Sequence, residues 1–137
     1  MTVIAVAPFV LKNALLSVAV DNYEKHIGSA LFNPQVNDLT WKGIDGSVAR
    51  DQGTPEWSLT IDYAQDWTTA NSLSKYLLAN VGQQKTLVFS PLGTGTGKPK
   101  FTIDAIIKPG PIGGKVDELQ TASVTLVCSG QPVSGTW

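Results

Sequence analysis

The clearest order in the sequence is a two-residue rhythm. Between Trp57 and Tyr63 the residues Trp57, Leu59, Ile61 and Tyr63 alternate with Ser58, Thr60 and Asp62, as a strand with one buried face requires. The same rhythm returns near the end, where Ala122, Val124, Leu126 and Cys128 alternate with Thr121, Ser123, Thr125 and Val127. That last strand has room for about ten residues, long by ordinary standards. Two further segments alternate, Leu87 with Phe89, and Phe101, Ile103, Ala105 with Ile107. They are joined by the glycine-rich stretch Pro91–Pro99.

Towards the N-terminus, Ala14–Val20 is a short apolar run, and Asp21-Asn22 after it is turn chemistry. A second strand is expected over Tyr23–Phe32, interrupted by Gly28 and closed by Asn33-Pro34, because proline offers no N–H to a ladder. A third holds Val36, Leu39 and Trp41. Gly43–Glu56, with its glycines and few aliphatic side chains, reads as a long loop. Loops of that length are usually functional or disordered.

One segment changes period. Ala70, Leu73, Leu77 and Val81 fall at helical spacing between a cap at Asp66 or Thr68 and Gly82, which predicts one amphipathic helix of about three turns. A Gly/Pro-rich corner follows at Pro109–Gly114. The expected fold is therefore mainly β, a sandwich or barrel of seven or eight strands with one flanking α-helix, in a single domain spanning residues 1–137.

Composition sharpens this picture. The chain has 137 residues, and only 15% are charged, where soluble domains average about 25%. The deficit goes into 13 Gly, 13 Thr, 10 Ser and 8 Pro, a strand-and-turn alphabet. A net charge of -1 argues against gripping nucleic acid through a basic surface, and it gives little repulsion between copies. A single cysteine, Cys128, forms no internal disulfide. Residues 1–13 are apolar at first, lack a basic n-region and are broken by Pro8, so they read as an arm of a cytoplasmic protein rather than a membrane span, with a cleaved signal peptide as the alternative.

The inventory for catalysis is thin. His26 is the sole histidine, and Cys128 is in phase with buried neighbours. No zinc-ligand spacing exists, and no cofactor is expected. Gly93-Thr-Gly-Thr-Gly-Lys98 fails as a phosphate loop, because Leu92 stands where the first glycine belongs and Pro99 follows the lysine. Asp62 and Asp66 could be imagined as paired carboxylates, yet one belongs to a strand's polar face and the other to a helix cap. Of the four tryptophans, Trp57 reads as core, whereas Trp67 and Trp137 are candidates for contact with another chain.

The succession Asp21-Asn-Tyr23, then Val36-x-x-Leu39-x-Trp41-Lys-Gly43, then Trp57-x-Leu-x-Ile-Asp-Tyr-Ala-Gln-Asp-Trp67 running into a helix with Leu73, Tyr76 and Leu77, resembles the major tail protein of long-tailed bacteriophages. The closing Val124-Thr-Leu-x-Cys128-x-Gly130-x-Pro132 is similar to that family's last strand. The likeness spans roughly Ser17 to Val133. It implies a virion tail tube protein, made in the host cytoplasm, whose rings, hexameric in that family, stack into a hollow tube. DNA would pass through the bore without specific binding, and the tape measure and tail-terminator proteins would be partners, with no membrane involved. The long loop would bridge rings through residues such as Gly43, Ile44, Val48 and Arg50, and residues 1–13 and 130–137 would be arms between subunits. Asp62 and Asp104 would be the lumen-facing candidates. A tail-terminator or connector ring protein, or a small β-sandwich module for sugar or protein, are the alternative readings.

Overall fold

A computed structural model describes all 137 residues. Strands take 47% of the chain and helix 5%, so the fold is mainly β, a β-sandwich with one helix. The strands are β1 (Leu15–Val18), β2 (Asp21–Asn22), β3 (Ile27–Gln35), β4 (Asp38–Lys42), β5 (Val48–Gln52), β6 (Glu56–Ala64), β7 (Gln84–Ser90), β8 (Pro99–Ile106) and β9 (Thr121–Thr136), with α1 (Leu73–Ala79) between β6 and β7. Seven strands hydrogen-bond in the order β2-β1-β7-β8-β9-β6-β3, every pair antiparallel. β4 and β5 form a separate two-stranded hairpin. No helix is long and apolar enough to cross a membrane.

β9 belongs to both halves of the sandwich. From Thr121 to Val127 it pairs with β6, and from Cys128 to Thr136 with β8. The changeover coincides with a register shift opposite Thr102 and Asp104 and with Gly130 at φ +83°, a left-handed value that glycine adopts without a Cβ clash. At 16 residues the strand exceeds the expected ten. Residues 130–136, expected within an arm between subunits, pair with β8 of their own chain.

The alternation seen in the sequence is the core. Leu59, Ile61 and Tyr63 of β6 and Ala122, Val124, Leu126 and Cys128 of β9 are buried, together with Leu16 and Val18, Leu87, Ile103 and Ala105 from the other half. They form one cluster of 16 residues. Each fully buried large aliphatic contributes about 1.5–3 kcal/mol relative to exposure. Phe32 of β3 meets Phe89 of β7 with ring centroids 5.7 Å apart. The sheet therefore curls until strands far apart in its order touch.

Several elements differ from expectation. Asp21-Asn22 is a short strand rather than a turn, and the turn sits at Ala19-Val20, with Ala19 at φ +57°. β3 runs through Asn33-Pro34 to Gln35. It pairs only with β6, and at a sheet edge the missing proline N–H sacrifices no ladder bond. Residues 43–56 are not one loop, since Val48–Gln52 pairs with Lys42–Asp38 residue by residue.

The helix is shorter than its spacing suggests. Ser72 is the N-cap, accepting the Lys75 N–H at 3.4 Å, and Asn71 just before it lies at φ +59°, outside helical geometry. Leu73 and Leu77 are buried, whereas Ala70 and Val81 are exposed. Asp66, one expected cap, instead anchors the preceding turn, its Oδ1 accepting the N–H groups of Thr68 and Thr69 at 3.0 Å each. Hydrogen bonding by Thr69 first, and then by Thr68, holds its carboxyl well below the usual range. The folded state favours the carboxylate. This contribution is therefore complete above about pH 4, where the unfolded aspartate also ionises, and is lost as pH falls toward the depressed folded value. Asp66→Asn retains an oxygen acceptor but does not titrate, so its melting temperature should fall less between pH 5 and pH 2 than that of the wild type. Parallel falls would show that the turn carries no pH-dependent stability.

Candidate assembly interface

The β4–β5 hairpin leaves the sheet at one end of the β3–β6 pair. All ten strand residues are exposed, and the hairpin adds no residue to the core cluster. Its turn is closed by the Gly43 N–H to Ser47 O at 2.8 Å and the Gly46 N–H to Gly43 O at 3.0 Å, with Gly46 at φ +88°. Asp45 Oδ1 accepts the Ser47 N–H at 3.0 Å. Register fixes the two faces, because residues directly opposite share a side. Leu39 and Trp41 lie on one face with Asp51 and Ala49. Thr40, Lys42, Val48 and Arg50 lie on the other, with Asp38 at its base. Trp41 is 74% exposed, and Ile44 stands at the tip.

Of the interface residues expected from sequence, Gly43, Ile44, Val48 and Arg50 thus come together on this one projecting element. Trp67 and Trp137 do not join them. Trp67 sits at the other end of β6, where its Nε1 donates to Gln65 Oε1 at 3.3 Å. Trp137 is folded back on its own sheet: its Nε1 donates to Ser90 Oγ at 2.9 Å, its backbone N–H to Lys98 O at 3.0 Å, and Lys100 Nζ stands 4.7 Å above its ring. Trp57 packs against the core. The four indoles therefore occupy four separate places.

Beside the base of the hairpin lies an apolar cavity of about 390 Å³, lined by Phe32, Trp57, Phe101 and Pro132 and flanked by Phe9 and Leu11. Residues 1–13 carry no regular secondary structure and are exposed, and Phe9 and Leu11 bring this segment to the cavity's edge. Sequence reasoning missed the cavity. Its walls come from five strands, with Phe89 of β7 among them, and from the N-terminal segment, and no local spacing reports their convergence.

The outward face of the sheet is nearly uncharged. Thr60 and Thr125 share a 3.2 Å hydrogen bond across β6 and β9, and Ser123, Ser129 and Thr86 continue the polar surface. Asp62 stands opposite Ser29 and Ser123. Asp104 accepts the Thr86 hydroxyl at 2.6 Å and the Gln84 amide at 3.4 Å. Their partners on β9, Ser123 and Ser129, are six residues apart, or about 20 Å along a strand. The two carboxylates act separately.

The titratable and nucleophilic groups sit apart as well. His26 makes an edge-on contact with Tyr23, centroids 5.7 Å apart, and burial, then the nearby Asp21 carboxylate, push the Tyr23 phenol up to about 12. Burial pushes the Cys128 thiol up, away from the thiolate form that reacts. No three His, Cys, Asp or Glu side chains gather into a group suited to a metal ion. The Gly93–Lys98 stretch is a hairpin tip with Gly93, Gly95 and Gly97 at positive φ, and its Gly97 N–H bonds Trp137 O at 3.1 Å. No protein-family model matches the chain, and no curated protein matches it in sequence.

Proposed function

We propose that this chain is the subunit of a self-assembling hollow tube of the bacteriophage tail type, its rings stacked through the β4–β5 hairpin. The observation that carries the reading is that hairpin. A two-stranded ribbon is marginal alone in water, yet this one displays Leu39, Trp41 and Ile44 with no body of its own to cover them. Exposed apolar groups concentrated on one projection mark a surface meant for another chain.

Two further features support it. The outer edge of β3 has no partner strand, and an unpaired edge invites strand addition from a neighbour. The sheet's outward face offers Thr, Ser and two separate aspartates, a surface suited to letting DNA slide past rather than holding it. In this reading Asp62 and Asp104 face the bore. Tape measure and tail-terminator proteins would be the partners within the tube and at its end.

Limited proteolysis combined with sedimentation velocity tests the proposal. At low concentration, cleavage should begin in residues 1–13 and in the 43–47 turn. As concentration rises, the sedimenting mass should climb well beyond a monomer and the turn should become protected. A constant monomer mass with unchanged cleavage at every concentration would contradict the proposal.

A further inference from the structure

β3 is the one long edge of the sheet, and a single hydrogen bond fixes which of its residues face outward. The Ala64 N–H bonds His26 O at 2.8 Å, so the even-numbered residues of β6 turn their backbone groups toward β3 and the odd-numbered ones toward β9. Leu59 and Trp57, the partners of Phe32 and Pro34, belong to the odd set. Ala30, Phe32 and Pro34 therefore direct their backbone groups away from β6, to a side where no strand pairs. Pro34 has no donor to leave open there, but the N–H groups of Ala30 and Phe32 stand ready for a partner.

The N-terminal segment runs beside that edge in the opposite direction. A cavity of about 180 Å³ lies between residues 11–16 and residues 27–30, and the apolar cavity of about 390 Å³ brings Phe9 and Leu11 to residues 30–32. Residue numbers fall on one side as they rise on the other, which is an antiparallel course. Leu11 and Ala30 line both cavities and so mark a common level, whereas Val10 lines neither. Phe9 in, Val10 out and Leu11 in is the alternation of an extended strand, and it matches β3, where Ala30 and Phe32 pack against the core while Leu31 is exposed. Yet no backbone–backbone hydrogen bond involves residues 1–13.

We infer that residues 8–12 are a strap that closes on the β3 edge of their own chain, antiparallel, with Leu11 opposite Ala30 and Phe9 opposite Phe32. Directly opposite residues share a face, so Phe9 and Leu11 turn inward over Phe32, Trp57 and Phe101 and fill the larger cavity. Val10 and Lys12 turn outward, opposite Leu31 and Ser29. Pro8 falls opposite Asn33, where the backbone of the strap points away from β3, and its missing N–H loses no bond. The ladder ends there, because Pro34 offers the next residue no donor. A segment already tethered beside the edge at Leu15 of β1 closes at little entropic cost, whereas a second copy must first be captured from solution. With the strap in the gap between β1 and β3 the sheet closes on itself and its long open edge is covered. This contact belongs to the free chain and does not depend on the tube reading; a neighbour's strand reaching β3 has to displace it.

Val10 and Leu31 form the non-hydrogen-bonded pair of this register, where opposite side chains come closest, so the full chain carrying Val10→Cys and Leu31→Cys tests the strap. In dilute solution under mild oxidation, mass spectrometry should find the disulfide within one chain, formed about tenfold faster than in Val10→Cys with Asn33→Cys, which lies on the same face but two residues out of register. Amide exchange gives a second readout. In the full chain carrying Phe9→Asp and Leu11→Asp, the Ala30 and Phe32 amides should exchange about tenfold faster than in the wild type, while those of Leu59 and Ile61 keep their protection and show an intact core. Equal disulfide rates, links found only between chains, or Ala30 and Phe32 amides as fast in the wild type as in the variant would overturn the strap and leave self-assembly standing. A chain that closes the in-register link yet never polymerises keeps the strap and overturns the tube.

Discussion

If the chain is a tube subunit as proposed, replacing residues 36–55 by Asn-Gly should yield a folded chain that does not assemble. The replacement is geometrically natural, because Gln35 and Glu56 are direct partners across β3 and β6, and Asn-Gly is the favoured two-residue link for such a pair. Nothing in the removed segment contributes to the core cluster, so the thermal transition of the monomer should be nearly unchanged. What disappears is Leu39, Trp41 and Ile44, the apolar groups that have no cover within the subunit. Light scattering should remain at the monomer level at concentrations where the tube proposal expects the wild type to polymerise. Undiminished polymerisation would remove the hairpin from the assembly.

Leu59→Ala has the opposite profile, damaging the fold directly. Leu59 is fully buried and stands between Leu126 of β9 and Phe32 of β3 in register. Truncating such a side chain loses its transfer free energy and leaves a partly collapsed cavity, costing about 2–5 kcal/mol. That is a large part of the about 5–15 kcal/mol that stabilises an ordinary domain. In urea the midpoint should drop with an unchanged m-value. Leu39→Ala on the hairpin is the control, shifting monomer stability by no more than about 0.5 kcal/mol while weakening assembly. If Leu39→Ala destabilised the monomer as much as Leu59→Ala, the hairpin would be packed on its own subunit.

These two leucines also show what the sequence could and could not reveal. Leu59 was legible because burial imposes a period: Trp57, Leu59, Ile61 and Tyr63 face the core, and the residues between them do not. The same physics exposed the first half of β9. β5 leaves no such trace. Val48-Ala-Arg-Asp-Gln52 is exposed on both faces, so nothing selects an alternation, and its strand conformation comes from pairing with β4.

The end of β9 misled for a related reason. Gly130 and Pro132 look like strand breakers, but they sit where the strand bends from one partner to the other. Leu73 and Leu77, both buried, mark the helical segment in the sequence. Its start was not readable, because Asp66, Thr68, Asn71 and Ser72 are all capping residue types and only tertiary position chooses Ser72. Of the candidate site, Gly43, Ile44, Val48 and Arg50 are close in sequence, but the hairpin that carries them was not legible. Trp137 was not, because its docking on Ser90 and Lys100 depends on a ladder formed from distant parts of the chain.

The low charge content acquires a physical place in this arrangement. The broad outward face of the sheet is polar through hydroxyls, with charge confined largely to loops, strand ends and the hairpin. A monomer built this way has little electrostatic repulsion to resist contact with its copies. Negative-stain microscopy of the purified protein at high concentration therefore tests the central claim most directly. The expected result is long hollow fibres of uniform width that dissolve into monomers on dilution. Particles that remain single subunits at every concentration would contradict it.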